Sequence, residues 1–175
     1  MEELKPEQPD SSTLSQEAKE VLSIDSAAEA EGKPLEEVKK QTLLMKLQQM
    51  KVGEKIQLAM KGGREIRSIL IRDTSKEIST AVLENLKITL SEIEILAKQK
   101  TTPDELLRII SKNREWMKNY SIRLALVTNP KTPPGAALSF IRLLKRKDLE
   151  LISKNKSVPE VVRATAKKLA SERRV

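Results

Sequence analysis

Aliphatic residues recur along this chain at an interval that few folds accommodate. Leu70, Leu83 and Leu96 are thirteen residues apart, Ile110 follows at fourteen and Leu126 at sixteen, and Phe140 and Ile152 continue at fourteen and twelve. Thirteen residues hold one helix of about 8–10 residues and a short turn. A helix that short is marginal alone and buries its apolar face only by stacking on its neighbours. The strings LIRDTSKEI (70–78), LENLKITLSEI (83–93), LAKQKTTPDEL (96–106), IISKNREW (109–116), LVTNPKTPPGAA (126–137) and LISKNKSVPEVV (151–162) share one grammar. Each has an aliphatic helix end, a small polar turn, then Thr, Ser or Pro before the next aliphatic run. The fold class expected is therefore all-α: a short α-solenoid of stacked helical units of about thirteen residues, with Leu70, Leu83, Leu96, Ile110, Leu126, Ile152 and Val162 buried between successive helices.

The turns carry their own chemistry. Asn113, Asn129 and Asn155 suit a left-handed C-cap, because Asn tolerates positive φ. Thr102-Pro103 and Thr132-Pro133 read as an N-cap hydroxyl followed by proline at the first helical position, and Val158-Pro159 keeps the proline without the hydroxyl. Gly62-Gly63 reads as a left-handed stop after a short helix over 52–60. Pro34 opens a preceding helix that ends near Lys51, with Leu35, Val38, Leu43, Met45, Leu47 and Met50 on a broad apolar face.

Trp116, Tyr120 and Phe140 are the only aromatic residues. The core must be aliphatic, which favours helices over a β-sandwich. The chain has neither Cys nor His. That removes disulfides, thiolate nucleophiles, zinc-thiolate sites and the commonest general base and transition-metal ligand. The expectation is a protein that is not an enzyme, takes no cofactor and has no evident small-molecule substrate. No apolar run approaches the roughly 20 residues that span a bilayer, and the opening MEELKPEQPDSS does not read as a signal peptide. The expected location is the cytoplasm, without a membrane partner.

Charge is split along the chain. Residues 1–38 hold eleven acids against three lysines, a net of −8, and the remainder carries +16 within a total of +8. Residues 1–33 are rich in Glu, Ser, Pro and Ala and lack aromatics, so a disordered acidic tail is expected there and a helical-repeat domain over 34–175. Within the tail, Leu14, Ala18, Val21 and Leu22 have the spacing of an amphipathic helix. Such a tail would shield the basic body from polyanions at low salt.

The motifs SKN…VPE and VTNPKTP resemble the short helical repeats of HEAT-like and leucine-rich-repeat-variant proteins. The stretch from roughly 40 to 170, with ILIRDTSKEI, SKNREWMKNYSIRLALVTNPKTP and KDLELISKNKSVPE, is similar to a group of uncharacterised bacterial proteins. The resemblance implies a curved binding scaffold and no reaction.

Two segments stand out as binding candidates. Residues 113–120 replace the usual Thr-Pro with Arg-Glu-Trp, which marks Arg114, Trp116 and Tyr120 as a recognition patch. The basic run Arg142, Lys145, Arg146 and Lys147, with Lys154 and Lys156 beyond, would follow phosphates. A protein partner fits a solenoid best, and a nucleic acid or the ribosome is the alternative. Lys61-Gly62-Gly63-Arg64 lacks P-loop spacing. Glu92, Glu94, Asp104 and Glu105 read as solvated first-turn residues rather than a carboxylate pair.

Overall fold

The computed structural model describes residues 14–31 and 37–173. Every regular element among them is helical, with no strand. The chain divides into two compact units, residues 1–88 and 89–175. Unit 1 contains α1 (Gln16–Glu31), α2 (Glu37–Gln49), α3 (Val52–Lys61), α4 (Arg64–Leu70) and α5 (Lys76–Leu83). Unit 2 contains α6 (Leu90–Lys98), α7 (Asp104–Lys112), a 3-10 helix (Trp116–Lys118), α8 (Tyr120–Thr128), α9 (Pro134–Ile141), α10 (Arg146–Lys154) and α11 (Glu160–Glu172). The proposed helix start at Pro34 lies outside the described residues.

The helix lengths follow from the thirteen-residue interval: α3 to α10 are seven to ten residues long. All seven residues placed in the core by that interval are buried, from Leu70 to Val162, while Phe140 is only half-buried beside the fully buried Ile141. Unit 1 closes over Leu43, Leu47, Leu58, Ile66, Leu70 and Ile78. Unit 2 closes over Ile93, Leu107, Ile110, Ile122, Leu126 and Ile141, with Leu149, Ile152, Val162 and Ala166 extending that core to the last two helices. Within the units alternate helices stack: α3 packs on α5, α6 on α8, and α9 on α11.

The expectation of a disordered segment over 1–33 fails for residues 14–31; residues 1–13, 32 and 33 lie outside the described ones. Helix α1 packs against α2, α3 and α4. Its buried stripe is Ala18, Val21 and Asp25, spaced at helical intervals. The acids that composition counts as solvating charge bind protein groups instead. Asp25 accepts hydrogen bonds from the backbone N–H of Gly63 and, at 3.2 Å, Glu65; Glu29 accepts from the Arg64 N–H at 2.9 Å. Glu20 pairs with Lys46 at 2.7 Å. Helix α1 thus satisfies donors at the start of α4 that no capping side chain serves.

The glycine pair is likewise not a left-handed stop. Gly62 has φ −66° and Gly63 φ −79°, both extended. The reason for glycine is room. A Cβ on Gly63 would lie 2.5 Å from the Glu29 carboxylate and 2.8 Å from that of Asp25, and one on Gly62 would lie 2.6 Å from the Leu58 carbonyl.

The asparagines also differ from expectation. Asn113, Asn129 and Asn155 have φ of −77°, −79° and −80° with extended ψ. Each folds its side chain over the following turn, where Oδ1 accepts the N–H two residues on, of Glu115, Lys131 or Ser157, at 3.0 Å. This Asx-turn satisfies the turn without positive φ. Pro103, Pro133 and Pro159 then occupy the N-cap itself, with φ between −60° and −52°. Thr102 and Thr132 precede that cap and are buried; the Thr102 hydroxyl donates back to the Leu96 carbonyl at 2.8 Å.

A candidate docking groove across α6, α8 and α10

Helices α6, α8 and α10 frame an open groove of about 290 Å³. Leu124, Leu151 and Ile152 supply apolar surface, and Glu94, Lys98 and Thr128 supply polar groups. The carboxyl ends of the helices meet on one side of it, as Lys98, Thr128 and Asn155; the amino ends contribute Ser121 and Asp148. Leu151 is 67% exposed beside the buried Ile152. An alternative groove in unit 1, about 510 Å³, lies between Leu44, Gln48, Ile69 and Arg72, and its charged pair Lys55–Asp73 is closed at 3.3 Å.

The repeated turns hold the groove's helices in register. The buried Asn129 amide donates to the Ala97 carbonyl at 2.8 Å and the Gln99 carbonyl at 3.0 Å, tying the end of α8 to the end of α6. Asn85 does the same in unit 1, donating to the Ala59 and Gly62 carbonyls at 2.8 and 2.9 Å. Each side chain satisfies carbonyls that a helix end leaves orphaned.

Tyr120 is a brace. Its hydroxyl donates to Asp148 and accepts from the Lys145 backbone N–H at 2.9 Å, joining the start of α8 to the start of α10. Lys145 Nζ lies 5.1 Å from the ring centroid and the Arg123 guanidinium 5.7 Å, within cation–π range. Burial, and then the hydrogen bond to Asp148, push its pKa above the ordinary tyrosine value. Trp116 is half-buried in the 3-10 helix, with its backbone N–H on Asn113 Oδ1 at 3.2 Å, and Arg114 is exposed in the turn before it.

Helix α10 divides the basic residues rather than gathering them. Arg142, Lys145, Arg146 and Lys147 lie at its amino end, and Lys154 and Lys156 at its carboxyl end. Arg146 pairs with Glu150 at 3.0 Å, and the Arg142 carbonyl accepts from Arg173 at 2.6 Å. Lys147, Lys154 and Lys156 are exposed and form no ion pair among the described residues. Sequence reasoning passed over Lys98, Lys100, Lys131 and Leu151. The signal was present for Lys100 and Lys131: Gln99-Lys100 and Asn129-Pro130-Lys131 put a lysine in the turn, as Asn155-Lys156 does.

Among the described residues no group of His, Cys, Asp or Glu is arranged to hold a metal ion, and no helix is long and apolar enough to cross a membrane. Comparison with protein families, curated proteins and solved structures finds no match to this chain.

Proposed function

We propose that this chain is a non-catalytic binding scaffold of the cytoplasm, a short HEAT-like α-solenoid that seats a segment of a partner protein in the groove across α6, α8 and α10. The observation that carries the reading is Leu151, an exposed leucine standing on a groove whose adjoining surface is apolar. Alternate-helix stacking and the recurrent asparagine tie between helix ends support the solenoid, since both repeat the same relation between successive layers. A concave, largely pre-formed surface with a few polar groups is the ordinary form of a recognition site.

The test is capture from native lysate with three baits: the unaltered chain, Leu151→Ser, and Thr128→Trp, which fills the groove. Protein bands that survive nuclease and vanish with both variants support docking. Bands indifferent to both variants sink it. The second reading is nucleic-acid or ribosome binding through Lys147, Lys154 and Lys156, favoured by their lack of ion pairs. That reading requires capture to disappear with nuclease and to fall steeply with salt.

A further inference from the structure

We infer that the segment seated in this groove is acidic, with aliphatic side chains between its carboxylates; this rests on the reading of the groove as a docking site. Because α6, α8 and α10 present their carboxyl ends to one side, the turns that leave them share an edge. Asn129 reaches the Ala97 and Gln99 carbonyls, and Lys131 Nζ reaches the Thr101 carbonyl at 3.4 Å, so the first two turns adjoin. Asn155 opens the third turn from the same groove that Thr128 lines. Each turn carries one lysine: Lys100, Lys131 and Lys156. Lys98 and Lys154 end the helices before the first and third. All five are exposed, and the turns 99–103, 129–133 and 155–159 contain no acid. Lys98 meets Glu94 at 2.6 Å; Lys100, Lys154 and Lys156 form no ion pair among the described residues.

The apolar and basic features adjoin. Lys147, Leu151 and Lys154 are spaced i, i+4 and i+7 along α10, one stripe of a helix. An exposed leucine is therefore flanked by unpaired lysines, and a partner that covers the leucine brings its neighbouring side chains to them. A protein segment fits this better than a nucleic acid. No aromatic ring lines the groove for base stacking, and the Tyr120 ring is bracketed by Lys145 and Arg123. Leucine and isoleucine side chains offer nothing to a sugar-phosphate chain but accept an aliphatic one.

The experiment selects a random-peptide display library on the full chain. Groove-dependent binders are those lost on Thr128→Trp and on the exposed-site variant Leu151→Ser, each checked for helical circular dichroism. Expected are groove-dependent peptides enriched in Asp and Glu around Leu, Ile or Val, whose affinity drops about ten-fold on Lys98→Gln/Lys131→Gln/Lys154→Gln at low salt. Groove-dependent peptides without acidic enrichment would overturn the inference and leave the groove standing. No peptide sensitive to either groove variant would overturn the groove reading and the inference with it. Oligouridine bound more tightly than every selected peptide, and released by the triple variant, would assign the lysine edge to nucleic acid instead.

Discussion

Asp25 sits on the packed stripe of α1 with no exposed surface, and its carboxylate accepts backbone N–H groups at the start of α4, those of Gly63 and Glu65 among them. Burial raises its pKa above the ordinary value of 3.8; hydrogen bonds from the Gly63, Glu65 and Ile66 backbone act against that rise. The folded protein therefore holds this proton to a higher pH than the unfolded chain does. Its contribution to stability is greatest below about 3.8 and declines as pH rises to the raised value, then levels off. Urea titrations at closely spaced pH, taken as the difference between the native chain and Asp25→Asn, should show that downward step; a rising difference would reverse the assignment. Gly63 makes a second test at this scale. Gly63→Ala forces a methyl against the Asp25 and Glu29 carboxylates and should cost about 1–3 kcal/mol. Gly53→Ala, in helix α3 with open space around it, should gain about 0.4–1 kcal/mol. Equal losses at the two glycines would show that crowding is not what Gly63 avoids.

The individual helices were largely legible, and their ends were not. The spacing of Leu70, Leu83 and Leu96 fixes both helix length and the buried face, because a period near thirteen leaves one solution for a short helix and its turn. Thr89 with Glu92 is an explicit capping box, formed at 2.9 and 3.3 Å, and its signature is present in the string TLSE. The asparagine turns are ambiguous in the sequence because left-handed caps and Asx-turns favour the same residue. Asn129 and Asn155 are each followed four residues on by a proline, Pro133 and Pro159, whose fixed φ starts the next helix after a tight turn, and Asn113 makes the same turn without one. Helix α1 was visible in the spacing of Ala18 and Val21, but its Glu-rich composition argued for solvation. The groove was not legible, since it joins residues of three helices some thirty residues apart. Asn129→Ala should cost about 1–3 kcal/mol, because two carbonyls and one N–H lose a buried partner together. Asn155→Ala, where the side chain holds the Ser157 N–H and, among the described residues, no carbonyl of another helix, should cost about 0.5–1.5 kcal/mol. Urea melts giving the reverse order would show that the amide ties between helix ends contribute little.

At the scale of the molecule, charge and architecture must be read together. Helix α1 does not lie apart from the body, since Glu20, Asp25 and Glu29 already bind Lys46 and the backbone around Gly63 within unit 1. Shielding of the basic surface by these particular acids would require α1 to undock. Truncation before Glu37 tests this directly: a loosely held tail leaves stability unchanged, whereas the packed α1 predicts a lower urea midpoint, as the Ala18 and Val21 contacts are lost. Unit 2 permits the last test. Ile93, Leu107, Ile110, Ile122, Leu126 and Ile141 give residues 89–175 a core of their own, and every residue lining the groove belongs to it. A chain with its own closed core can fold alone. Residues 89–175 as a separate polypeptide should therefore give helical circular dichroism and a cooperative urea transition. They should also bind groove-dependent peptides as the full chain does. A cooperative fragment that has lost peptide binding would place a determinant of recognition in residues 1–88. A fragment without a cooperative transition would show that the core of unit 2 does not sustain itself.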